Sequence, residues 1–266
     1  MDETTTILAC DIGNTRIAVA RVADLKAEAV QRIAPSTLGD SGALAAALDQ
    51  AFAALWNASP RPKRIVASSV NPSHLAAVEA AAGRLGEEVA VIGRDLPLPM
   101  ETAVRQPERV GTDRLCSAAM AHHRIGAACV VAQIGTAMTI DCVSDDGVFM
   151  GGAICVGPAL AARALAERTA QLPRVELVRP EWVFGRDTRE AILSGVVSGA
   201  RGALRELVET YATELGKWPP LIVTGGDAEL VAGGYDIVDA IVPDLCLMGM
   251  ALSFQRALND TTHEQR

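Results

Sequence analysis

The sequence predicts a layered α/β fold of two related lobes with a cleft between them. Three observations lead there. Short apolar strands alternate with helical segments along the chain, two segments of similar pattern each open one half, and 50% of the 266 residues are hydrophobic against 21% charged, ample for sizeable cores.

The first opening segment, residues 7–22, reads ILACDIGNTRIAVARV. An apolar run, a turn at Gly13-Asn14 and a second run of β-branched and small residues make a β-hairpin pattern. Residues 129–143, CVVAQIGTAMTIDCV, slide over it and set Gln133-Ile134-Gly135 against Asp11-Ile12-Gly13. Between them, SGALAAALDQAFAALW at 41–56 predicts a helix with Ser41 as its N-cap. A buried strand is expected at 64–69, a turn and cap at Asn71-Pro72-Ser73 opening a helix to residue 82, and a short strand at 89–92. The Pro-rich stretch 96–107 reads as a loop, and Gly111-Thr112-Asp113 enters a helix to residue 123 that bridges the lobes. Helices at 159–167 and 188–215 and a strand at 221–224, running into Gly225-Gly226, complete the second half. The lobes are expected at 1–117 and 118–266.

Charge narrows the function. Lys+Arg 24 against Asp+Glu 32 gives a net charge of -8 and a pI near 5.1, the wrong sign for holding nucleic acid by its phosphates. The longest uncharged stretches, 125–140 and 147–162, contain Gln, Thr, Gly or Pro, so no transmembrane helix and no membrane partner are expected. The opening Met-Asp-Glu-Thr-Thr-Thr lacks the basic and apolar regions of a secretory signal, which points to a cytoplasmic protein. Six scattered cysteines form no C-x-x-C and have no His at ligand spacing, so they read as small core hydrophobes rather than disulfides or zinc ligands.

Asp11-Ile12-Gly13-Asn14-Thr15 places a carboxylate at the end of a buried strand, before a tight turn. Turn amides and the Thr15 hydroxyl suit phosphate oxygens, and Asp11 suits Mg²⁺; the alternative is an ordinary hairpin turn. No G-x-x-x-x-G-K-[ST] and no G-x-G-x-x-G occurs, and the only lysines are Lys26, Lys63 and Lys217, so a P-loop is excluded. In Gly111-Thr112-Asp113-Arg114, Asp113 lies near the positive end of a helix dipole, or simply caps it, and Arg114 suits a carboxylate or phosphate.

In this order the motifs resemble the type III pantothenate kinase family, within the acetate and sugar kinase and actin superfamily. They are DIGNT at 11–15, GTDR at 111–114 after PERV, GTAMTID at 135–141, GGAICVGP at 151–158, TAQLP at 169–173, GRDT at 185–188 and TGGDA at 224–228. The resemblance implies two ribonuclease-H-like lobes (the actin-like ATPase fold), phosphorylation of pantothenate by a nucleoside triphosphate at the first step toward coenzyme A, Mg²⁺, a monovalent cation and a homodimer. It further implies that Asp11, Ile12, Gly13, Asn14, Thr15, Arg16 and Thr136 hold the nucleotide phosphates and that Asp11 associates with Mg²⁺. Asp113 would be the general base, and Gly111, Thr112, Asp113, Arg114 and Thr188 would bind pantothenate.

Three positions depart from the family pattern. Gln133 stands where an Asp usually holds the monovalent cation, so dependence on K⁺ or NH₄⁺ is expected to weaken or vanish. Val104 stands where a Tyr usually contacts pantothenate, which removes one hydroxyl hydrogen bond. At Val156-Gly157-Pro158 the proline follows the glycine instead of preceding it. The alternative reading is a non-catalytic or altered-substrate relative that binds nucleotide and acts through a partner.

Overall fold

The computed structural model describes residues 6–58, 62, 64–181 and 184–264; residues 1–5, on which the expectation of no secretory leader rests, lie outside the described residues. Its strands form two five-stranded sheets. The first joins β1 (Thr6–Ile12), β2 (Ile17–Ala23), β3 (Lys26–Ile33), β4 (Ile65–Ser69) and β5 (Val89–Val91) in the order β3-β2-β1-β4-β5. The second joins β6 (Cys129–Ile134), β7 (Ala137–Val143), β8 (Phe149–Val156), β9 (Leu221–Thr224) and β10 (Ala240–Ile241) in the order β10-β9-β6-β7-β8. Both follow one plan: the first strand lies central, two antiparallel strands lie to one side and two parallel strands to the other. The internal sequence match is therefore the trace of a duplicated topology.

Both hairpins form as expected, with Ile12↔Ile17 and Ile134↔Met138 closing their turns. Each sheet adds a third strand that the sequence pattern hides. β3 is an edge strand, largely exposed, and its turn is made by Asp24 (φ 48°) and Leu25 (φ 57°), a left-handed pair without the usual Gly or Asn.

The helices are α1 (Ser41–Trp56), α2 (Pro72–Arg84), α3 (Thr112–Ile125), α4 (Pro158–Arg168), α5 (Thr188–Leu215), α6 (Ala228–Ala232) and α7 (Leu245–Glu264). The cap of α1 is Asp40, not Ser41: the Asp40 carboxylate accepts from the amides of Gly42 and Ala43 at 2.9 and 3.1 Å. Such a cap contributes about 1 kcal/mol.

Strand alternation sorts the first sheet into two faces. Leu8, Cys10 and Ile12 pack with Leu48 and Phe52 of α1 and Val78 of α2, while Ile7, Ala9 and Val66 pack with Cys116 of α3 and Cys246, Leu247 and Met250 of α7. Asp11 continues the second row. In the second sheet Val130, Ala132 and Ile134 meet Leu204 and Val208 of α5 and Val231 of α6, which leaves Gln133 on the other face.

Contacts divide the chain into two compact units. One holds the residues up to Glu101, Arg105–Met120 and the chain from Asp244 on; the other holds Thr102–Val104 and Ala121–Pro243. Helix α3 contains both the boundary expected at 117/118 and the change of unit after Met120. The final helix, α7, packs on β1, β2, β3 and β4 of the first unit. All six cysteines are free, five of them buried. Among the described residues no helix is long and apolar enough to cross a membrane.

Candidate active site

In the first unit, the turn after β1 is closed by the Gly13 amide donating to the Arg16 carbonyl at 2.9 Å, and it leaves Asn14, Thr15 and Arg16 exposed. Asp11 stands beneath it on the face covered by α3 and α7. Burial pushes its carboxyl up to about 7, repulsion from the nearby Asp113 adds to this, and a hydrogen bond from Cys246 and the charge of Arg16 pull the other way. Asp244 repels it too; this residue, at φ 58° before α7, is paired with Arg32 at 2.5 Å.

Asp113 is the second residue of α3 and so not its N-cap residue, yet its carboxylate accepts from its own amide and that of Arg114. It folds back over Gly111, where an added Cβ would lie 2.4 Å from Asp113 Oδ1, so any side chain at 111 would displace this carboxylate. Burial holds the Asp113 carboxyl above the usual carboxylate range, against the pull of those amides and of the Arg114 charge. The Thr112 hydroxyl lies 2.8 Å from the hydroxyl of buried Ser68, so it is already engaged. A cavity of about 700 Å³ opens beside this helix start, lined by Ser69, Val70, Gly93, Arg109, Gly111 and Thr112 among others.

The second unit repeats the turn. The Gly135 amide donates to the Ala137 carbonyl at 3.0 Å, and the Thr136 carbonyl accepts from the Gly157 amide at 3.1 Å. Gly157 caps α4 with Pro158 at its first position, a favourable place for proline, and a Cβ on Gly157 would fall 1.8 Å from the Gly135 carbonyl. The order Gly-Pro thus serves both the helix start and the turn. Gln133 pairs with Thr139 on β7 and Thr224 on β9, and both Gln133 Oε1 and Thr139 Oγ1 are buried without a hydrogen-bond partner. Gln133 thus sets a neutral oxygen at the position that answers to Asp11, and Thr139 sets another at the position that answers to Ala18, the partner of Asp11 on β2.

A family model for type III pantothenate kinase matches residues 7–210. The chain belongs to the type III pantothenate kinase family. The member from Saccharopolyspora erythraea is 35% identical over 265 residues, covering 94% of this chain and 98% of that one. The member from Dehalococcoides mccartyi is 39% identical over 165 residues, and the match spans 62% of this chain and 64% of that relative, just under two thirds of its length. Component A of the (R)-2-hydroxyglutaryl-CoA dehydratase of Acidaminococcus fermentans, 15% identical, superposes with a TM-score of 0.58 over 96% of this chain and 99% of that one. That likeness speaks for the fold, which is of the actin-like ATPase and sugar-kinase type.

The residues expected from the family resemblance fall in both units. Asp11 to Arg16, Gly111, Thr112, Asp113 and Arg114 share the first unit; Val104, Gln133, Thr136 and Thr188 belong to the second. Val104 sits in a short strap whose Ala103 amide donates to the Phe149 carbonyl at 2.9 Å, and it packs against Gly151. Thr188 is the exposed first residue of α5, capped by Asp187, whose carboxylate accepts from the Glu190 amide at 2.8 Å. It lines an apolar cavity of about 680 Å³ between α4 and α5, with Met138, Val156, Pro158, Leu165 and Ile192. Sequence reasoning missed Cys246, Asp244 and Thr139. A cysteine in an apolar helix reads as core, and only its register on α7 reveals the bond to Asp11.

Proposed function

We propose that this chain transfers the γ-phosphoryl group of a nucleoside triphosphate to the primary hydroxyl of pantothenate, the first committed chemistry toward coenzyme A. The observation that supports it best is the neighbouring pair of acids: Asp113, held by helix amides directly after the cavity-lining Gly111 and Thr112, and Asp11, at the foot of the turn that exposes Asn14 and Thr15. Phosphoryl transfer needs mainly positioning and charge neutralisation, with one carboxylate turned to the nucleophile. Asp113 accepts the proton of the pantothenate hydroxyl as that oxygen bonds to the γ-phosphorus and the bond to the leaving nucleoside diphosphate breaks. Its raised pKa brings it closer to the working pH, which suits a general base. The turn from Ile12 to Arg16, with Thr136, binds the phosphates, and Gly111, Thr112, Arg114 and Thr188 bind pantothenate, the carboxylate of which suits the Arg114 guanidinium.

Asp11 fits Mg²⁺. Burial and the charges of Asp113 and Asp244 oppose its ionisation, a condition that a divalent cation relieves. Bound with the nucleotide, the ion supplies neutralisation of phosphate charge. Gln133 Oε1, with Thr139 Oγ1, offers neutral oxygen to a monovalent cation, a fit without the charge of the family's usual Asp. The exposed apolar residues Met150, Ile154 and Val156 along one face of β8 support the homodimer reading, in which a second copy covers them. A cytoplasmic location completes the proposal.

The test is phosphopantothenate formation by purified protein with Mg²⁺ and ATP, run in parallel in Na⁺, K⁺ and NH₄⁺. Turnover that barely responds to the cation is expected. No turnover in any of them, with nucleotide still bound, overturns the assignment.

A further inference from the structure

The start of α2 reaches across to the turn after β1, and it does so one residue at a time. The Val70 amide donates to the Ile12 carbonyl at 3.0 Å, His74 Nδ1 lies 2.9 Å from the Gly13 carbonyl, and Asn71 Nδ2 donates to Asn14 Oδ1 at 3.1 Å. Three consecutive positions of the turn thus give their acceptors to one short segment. A carbonyl only accepts, so His74 Nδ1 carries the hydrogen there.

The proton inventory goes further. Asn71 is the N-cap of α2, and its Oδ1 accepts from the His74 amide at 3.1 Å. With that oxygen committed, the end of the Asn71 amide facing Asn14 is its NH₂ group, and Asn14 must present its oxygen in return. The Asn14 amide is thereby fixed with its NH₂ turned away from α2, as a donor. Asn71 is itself anchored, since its backbone amide donates to Ser69 Oγ at 3.2 Å and its carbonyl accepts from that hydroxyl at 3.1 Å.

We propose that Asn71 and His74 are positioning residues for the nucleotide: they hold the Gly13–Asn14 turn with its acceptors drawn toward α2 and the Asn14 amide hydrogens presented to phosphate. This rests on the reading of that turn as the nucleotide site. The cap role of Asn71 and the orienting role are separable, because a serine at the N-cap keeps a neutral acceptor for the His74 amide but cannot reach Asn14.

The experiment compares Asn71→Ser, His74→Leu, His74→Gln, Asn14→Ala, Thr15→Ala and the double variant Asn14→Ala/Asn71→Ser. Each is read by melting temperature, calorimetric affinity for the Mg²⁺ complex of a non-hydrolysable ATP analogue, and steady-state KM values for ATP and pantothenate. Asn71→Ser and His74→Leu are expected to weaken nucleotide binding about five- to tenfold, the worth of one neutral hydrogen bond, with the pantothenate KM within about twofold of wild type. His74→Gln, which keeps an N–H at similar reach, should recover most of the loss, and Asn71→Ser should add nothing once Asn14 is alanine. Should His74→Leu not fold, Asn71→Ser and the double variant decide alone. Wild-type nucleotide affinity in Asn71→Ser while Thr15→Ala binds poorly overturns this proposal. Wild-type affinity in both Thr15→Ala and Asn14→Ala overturns the placement of nucleotide on the turn itself, and the proposal with it.

Discussion

At Asp113 the protein keeps a carboxylate over the amides of its own helix turn while burying it enough to raise its pKa, two opposing influences on one group. Asp113→Asn preserves the shape and removes the proton acceptor. It is expected to lower kcat by about 10²–10⁴ and to leave nucleotide affinity nearly intact, as separate kinetics and calorimetry would show. In the wild type, kcat/KM should fall on the acid side as Asp113 protonates, with a midpoint above the ordinary carboxylate value of about 4. Asp11 makes a different prediction. Its carboxyl titrates near 3.8 when unfolded and about 7 when folded, so between those pH values the folded state holds more protons. Its ionisation therefore works against the fold, and its contribution to the stability of nucleotide-free protein declines as pH rises from about 4 to 7. Asp11→Asn should flatten that part of a melting-temperature profile; an unchanged slope would show that another group sets it.

Among the elements, the contact between the start of α4 and the turn after β6 leaves no room. Gly157→Ala drives a Cβ into the Gly135 carbonyl, so either the turn or the helix must move, at a cost of about 1–3 kcal/mol and with weaker nucleotide binding. Gly202→Ala is the opposite case: exposed within α5 and open around its Cα, it should stabilise by about 0.5–1 kcal/mol. Denaturant midpoints of the two variants should move in opposite directions. The bounds of α1, α5 and β9 were legible because strong local signals coincide there: long Ala- and Leu-rich runs, and an apolar strand entering a double glycine. β3 was not, since its edge position spares it an apolar pattern and Asp24-Leu25 bears none of the usual turn residues. β8 hid behind its glycines, in a stretch read only as one motif of the family resemblance. The acids Asp11 and Asp113 stood out as motifs, whereas the hold of α2 on the turn depends on a long-range approach that no local pattern encodes.

For the whole molecule, the first unit is assembled from both ends of the chain. Helix α7 covers the face of β1 that bears Asp11, and its Cys246 hydrogen-bonds that carboxylate. A truncation after Pro243 would expose Ile7, Ala9 and Val66 and should leave the first unit without a cooperative transition, checked by near-ultraviolet circular dichroism and calorimetry. Retention of a native-like melt would mean that the sheet is stable on α1 and α2 alone. The duplicated sheets do not share this dependence, because the second unit is, apart from the strap Thr102–Val104, a single run of chain from Ala121 to Pro243. During synthesis this inverts the order in which the halves mature. The ribosome makes the strands of the first sheet early but delivers α7 only after the whole second unit, so at ~5–20 residues per second the first unit waits roughly 7–30 s for its closing helix. Over that interval the second unit is synthesised and reaches its last residue, Pro243, before α7 is made, while the Asp11 face of the first sheet stays open to chaperones and to other nascent chains.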